Sequence, residues 1–105
     1  NVRCRGFLLE EDQMKKKWEL IAKDNDILVT HLPPRGILDI TRDQQYGGCP
    51  WLNSINRSLK NLKLHAFGHI HESWGMTRRE DIIFVNSSLV DDRYVACNHP
   101  IRVIL

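Results

Sequence analysis

What most constrains this chain is the order of three segments: a short apolar run, an amphipathic stretch and a second apolar run. Ile27-Leu28-Val29 is stopped by Thr30-His31 and Pro33-Pro34, which reads as a buried strand entering a rigid loop. Leu64 to Phe67, broken by Gly68, reads as a second strand. Between them Pro50 stands where a helix can begin, and Leu52, Ile55, Leu59 and Leu62 recur at helical spacing. An amphipathic helix over 51–62 is therefore predicted. Strand, helix, strand in that order is a βαβ unit, with parallel strands and a right-handed crossover. The fold class expected is α/β, with further strands at 82–85 and 101–105. Upstream, Met14, Trp18 and Ile21 predict a short surface helix over 10–24, its Lys15, Lys16, Lys17 and Glu19 facing water. Residues 35–48 carry Gly36, Gly47, Gly48, Asp39 and Asp43 and read as loop.

The βαβ order has a functional consequence. The segments after both strands, Thr30-His31 and Gly68-His69-Ile70-His71, emerge on one edge of the sheet, where ligand sites of such sheets lie. Three of the five histidines converge there. In an extended segment His69 and His71 would project to one side, and Gly68 would permit close backbone approach to a ligand. Imidazoles from two loops form a nitrogen site suited to Zn, Mn, Fe, Co or Ni. A lone His at a strand end is more often just a polar surface residue. Three converging ones favour a metal. His65, inside the second strand, reads as a satisfied packing residue, and His99, beside Pro100, as a loop residue.

Composition removes several alternatives. With 42% apolar and 27% charged residues the 105-residue chain is an ordinary globular domain in size and make-up, outside the disordered range. Fifteen Lys+Arg against thirteen Asp+Glu leave +2, with the signs interspersed, so neither nucleic acid nor a membrane surface is expected as a partner. No apolar run approaches a membrane span. Cys4, Cys49 and Cys97 are odd in number and lack any CxxC, which suits a reducing, cytosolic compartment.

Two other function classes are open to the same residues. A structural zinc module would use His69, His71, Cys49 and Cys4, although their spacing matches no compact knuckle. A nucleic-acid module would lean on Trp51, Trp74, Arg78 and Arg79, against the weak net charge. A nucleophile-elbow hydrolase finds no Gly-x-Ser-x-Gly.

Thr30-His31-Leu32-Pro33-Pro34-Arg35-Gly36-Ile37-Leu38-Asp39 resembles the TH-G-PP-x-G-x-x-D stretch of calcineurin-like metallophosphoesterases. Ala66-Phe67-Gly68-His69-Ile70-His71-Glu72 is similar to their terminal GHxH motif. The subgroup most resembled is the metallophosphoesterase-domain-containing proteins related to class III cyclic-nucleotide phosphodiesterases. Trp18, Gly48-Cys49, Leu62 to His65, Phe84 to Ser88 and Asn98-His99-Pro100-Ile101 extend the likeness along nearly the whole chain. The resemblance implies a four-layer αββα sandwich with mixed sheets, of which residues 1–105 would be the C-terminal half. It also implies two divalent metals, with His31 and His69 on one and His71 on the other, activating a hydroxide against a small phosphoester, possibly a cyclic nucleotide. Gly68 and Glu72 would border the substrate. The family's Asp-x-His, Gly-Asp-x-x-Asp (bridging Asp) and Gly-Asn-His elements precede the TH motif, and none of the three occurs here. They are expected upstream, in a missing N-terminal half, and the isolated chain is expected to be inactive. Leu32 stands where the family usually has Gly, a place where a left-handed φ would strain a leucine.

Overall fold

A computed structural model describes residues 9–105. Helix α1 spans Glu11–Glu19, strand β1 Ile27–Val29, helix α2 Pro50–Ser58 and strand β2 Leu64–Phe67. A 3₁₀ turn at His71–Ser73 leads into strands β3, Gly75–Arg79, and β4, Ile82–Asn86. They form one four-stranded sheet in the order β1-β2-β4-β3. Strand β2 runs parallel to both β1 and β4, while β3 is antiparallel to β4. The chain is thus α/β with a mixed sheet, and the βαβ unit forms as its sequence order requires.

Helix α2 is shorter than the apolar spacing suggests. It stops at Ser58, where Leu59 takes φ −92°, ψ 91° and the Ser58 hydroxyl donates to the Ile55 carbonyl. The chain must turn here to start β2, and it does so with Leu59 and Leu62 still buried, joined by a Leu62 N–H to Leu59 carbonyl bond. Burial outlasts the helix because a turn satisfies it equally well. Leu28, Ile55, Leu59 and Leu62 form one cluster, with Trp18, Ile21 and Ile82 against it. Burying each such side chain contributes about 1.5–3 kcal/mol. Met14 of α1 meets Cys49 and Leu52 in a second cluster, so α1 packs on α2 rather than on the sheet alone.

Residues 101–105, expected as a strand, are not one. A β-branched run becomes a strand only by pairing, and the edge of β4 is taken by β3. Strand β3 itself escaped the sequence pattern because Gly75-Met76-Thr77-Arg78-Arg79 is mostly polar. The register places Leu28, His65 and Phe84 in one row on the α2 side. The next rows, on the other side, hold Ile27, Leu64 and Ile83, then Val29, Ala66, Val85 and Met76. Val85 at its centre is buried, but Ile27 is 48% exposed, Val29 73% and Met76 55%, so among the described residues the flanks of this second apolar face have no covering layer. One sheet with helices to one side is what part of an αββα sandwich would contribute.

Candidate metal centre

Strands β1, β2 and β4 all point their carboxyl ends to one edge. The parallel ladder continues past them: Thr30 N–H donates to the Ala66 carbonyl at 3.0 Å, and Gly68 N–H to the His31 carbonyl at 3.2 Å. That pairing draws the two loops together. His31 and His69 come into ring contact, with centroids 4.7 Å apart and planes tilted by 58°.

The GHxH segment is not extended, contrary to the sequence expectation. His69 has φ +68°, and the Ile70 N–H donates back to the Gly68 carbonyl at 2.8 Å. This is a γ-turn of the rarer, strained hand, centred on a histidine. The left-handed residue is therefore His69 and not Gly68, where an added Cβ would meet only the Ser88 Oγ at 3.4 Å. What holds the strained turn is Asn86, fully buried at the end of β4. Its Nδ2 donates to the carbonyls of Ile70 (2.7 Å) and Leu38 (3.1 Å), and its Oδ1 accepts from the Ser88 N–H and hydroxyl. Leu32, by contrast, is not among the residues with positive φ, so the leucine is accommodated there without strain.

His71 opens the 3₁₀ turn. Its Nδ1 lies 2.9 Å from the Asp91 carbonyl, which can only accept, so Nδ1 carries the proton. Tyr94 meets the same ring edge-on at 5.2 Å. Glu72 is tied down: its carboxylate accepts the Arg42 N–H at 2.6 Å, joining the turn to the preceding loop. Partial desolvation, then the charges of His31 and His71, lower the His69 pKa below its usual 6.5, while Glu72 opposes them. The neutral imidazole is favoured, which is the form a metal accepts.

His65 lies wholly buried on β2, against the rings of Phe67 and Phe84. Burial lowers its pKa to about 4. It is a packing residue as expected, but only half satisfied: Nε2 meets the Thr30 hydroxyl at 2.9 Å, and Nδ1 has no partner.

As donors, the residues fit a metal. His71 shows the arrangement in which one ring N–H is given to a carbonyl, so that in the neutral imidazole Nε2 is the nitrogen that can face a cation. His31 and His69 add two more imidazoles. As a set they are incomplete: among the described residues no three His, Cys, Asp or Glu side chains are gathered to hold an ion. Cys49 does not join them. Its Sγ accepts the Trp18 indole N–H at 3.4 Å inside the α1–α2 cluster, and Cys4 lies outside the described residues. His99 is exposed and contributes only its carbonyl, to Trp74. Sequence reasoning passed over Asp91, Tyr94 and the clamping role of Asn86. Only the neighbourhood of Asn86 to β4 was visible in the linear chain.

No protein-family model matches the chain. Metallophosphoesterase domain-containing protein 1 of Homo sapiens is 40% identical over 103 residues, 95% of this chain, and so is the Mus musculus protein of that name. A UPF0046 protein of Caenorhabditis elegans is 36% identical over 90 residues, 85% of this chain and 22% of its own length. The chain spans 31% of the length of the two mammalian relatives. Near-complete coverage of these residues at that identity, together with the His31–His69 edge, means that the chain belongs to the metallophosphoesterase domain-containing family.

Proposed function

We propose that these residues form one side of a dinuclear metal centre that hydrolyses phosphoester bonds, acting as a phosphodiesterase on a small substrate such as a cyclic nucleotide. The observation that carries this reading is the 4.7 Å approach of His31 and His69 at the carboxyl edge of the parallel strands. His31 and His69 would hold one divalent cation and His71 the other, through Nε2, since its Nδ1 is engaged by the Asp91 carbonyl. When bound, two such ions supply Lewis acidity toward phosphoryl oxygen and a water acidic enough to react near neutral pH. Mn, Fe, Zn, Co or Ni suits nitrogen donors of this kind.

The chain's own part is to keep its imidazoles neutral and fixed. Partial desolvation and then repulsion from His31 and His71 favour the neutral form of His69. Asn86 holds the Ile70 carbonyl between His69 and His71, and Glu72 anchors the following turn. Gly68 and Glu72 border the substrate side of the loop. The remaining ligands, a bridging carboxylate among them, lie in sequence beyond these residues, in keeping with relatives of which this chain spans 31%. A cytosolic setting suits the unpaired thiols of Cys49 and Cys97.

The test is hydrolysis of bis(p-nitrophenyl) phosphate by the full-length protein in the presence of each first-row divalent ion. Turnover that is abolished by a chelator and by His69→Ala supports the reading. Turnover indifferent to both refutes it.

A further inference from the structure

We infer that His65 is a positioning residue for His31, acting through the Thr30 hydroxyl. The inference rests on the reading of His31 as a metal ligand.

The hydrogen-bond directions follow from valence. Thr30 Oγ1 lies 2.6 Å from the Leu32 carbonyl, which can only accept, so the single hydroxyl proton goes there. Toward His65, 2.9 Å away, the same oxygen must therefore accept. His65 thus carries its proton on Nε2, and Nδ1 is a bare, buried acceptor without a partner. The chain of bonds runs from His65 to Thr30 to Leu32. It brackets His31 on both sides, while the Gly68 N–H holds the His31 carbonyl itself. His31 is thereby left with little backbone freedom, on a loop that otherwise begins outside regular structure.

The surroundings of His65 argue that the hydrogen bond is its purpose. Phe67 and Phe84 pack on the ring at 5.2 and 5.9 Å, and the side chain is wholly buried. A phenyl ring would fill that space and leave no unpaired nitrogen, which is a real cost in a dry interior. The imidazole differs from it by one useful group, the Nε2–H on Thr30. A residue that merely packed would not need it.

The experiment uses the full-length, metal-loaded protein and its His65→Phe, His65→Gln, Thr30→Val and His31→Ala variants, with affinity read by competition against a chromogenic chelator. His65→Phe should keep its melting temperature within a few degrees yet weaken one metal roughly 10–100-fold, the range seen when supporting partners of ligands are removed. His65→Gln, whose amide puts an N–H at similar reach, should restore most of that loss. Thr30→Val should weaken the same metal, and the double variant with His65→Phe should add nothing, because both act on one bond. Unchanged affinity in His65→Phe, additive losses, or a Gln variant no better than Phe would overturn the inference. If His31→Ala keeps both metals, the ligand assignment has failed instead. The His65 tautomer, read from long-range ¹H–¹⁵N NMR couplings, then still decides: a proton on Nδ1 overturns the positioning role, and one on Nε2 with a shifted His31 amide in His65→Phe upholds it.

Discussion

Asn86 donates from Nδ2 to the carbonyl of Ile70 at 2.7 Å, and Ile70 is the residue between His69 and His71. One buried amide at the end of β4 thus holds the centre of the histidine loop and, through Leu38, the loop that follows β1. Asn86→Ala would leave the Ile70 and Leu38 carbonyls and the Ser88 hydroxyl without this partner. A loss of about 2–4 kcal/mol of stability is expected, from the cost of unsatisfied buried polar groups. Urea unfolding of the full-length protein measures it, and a loss below about 1 kcal/mol would show that the amide network does not hold the loop.

His65 gives the fold a pH dependence of definite sign. Its pKa falls on folding from 6.5 to about 4, because burial disfavours the cation. Above 6.5 both states are neutral and nothing is lost. As pH falls from 6.5 toward 4 the unfolded chain takes up a proton that the folded chain refuses, so stability drops, by about 3 kcal/mol in all. The midpoint of urea unfolding followed over that window should lose this component of its slope in His65→Phe. An identical slope in the variant would mean that His65 is not the group responsible.

Much of the fold is legible in the chain itself, and the residues show why. The βαβ unit followed from Leu28, Leu52, Ile55 and Phe67, whose burial is a matter of apolar spacing. The meeting of His31 with His69 followed from strand direction alone. The γ-turn at His69 did not, because a positive φ on a histidine is imposed by Asn86, far along the chain. Nor did the His71–Asp91 bond, which joins two loops with no shared pattern. The edge strand β3 was hidden by its polar sequence, and 101–105 misled by a β-branched run without a pairing edge.

Two glycines should respond in opposite ways to alanine. At Gly48 a Cβ would lie 2.6 Å from the backbone of Pro34, which cannot yield without moving the loop after His31. Gly48→Ala should cost about 1–3 kcal/mol, as overpacking does. Gly68→Ala should be mild, since its Cβ meets only a hydroxyl at 3.4 Å. Melting temperatures of the two variants in the full-length protein compare them directly. A Gly68→Ala protein as damaged as Gly48→Ala would contradict the assignment of the left-handed turn to His69.

Residues 1–105 expressed alone should behave poorly. Ile27, Val29 and Met76 present an exposed apolar face on the far side of the sheet, and β1 offers an open edge. Strong binding of an anilinonaphthalene dye, concentration-dependent association and no hydrolysis of bis(p-nitrophenyl) phosphate are the expected results. A sharp cooperative melt of a monomer would show that this face needs no cover.

If His31, His69 and His71 are the metal ligands and Cys49 is not, metal content follows the three histidines alone. Elemental analysis of the full-length protein, wild type beside His31→Ala, His69→Ala, His71→Ala and Cys49→Ser, tests it most directly. Two metals per chain are expected in the wild type and in Cys49→Ser, whose sulfur serves only the Trp18 indole and its apolar cluster. His31→Ala and His69→Ala should lose one and the same metal, and His71→Ala the other. Full metal content in all three histidine variants, or loss of zinc in Cys49→Ser, would show that these histidines are not the ligands.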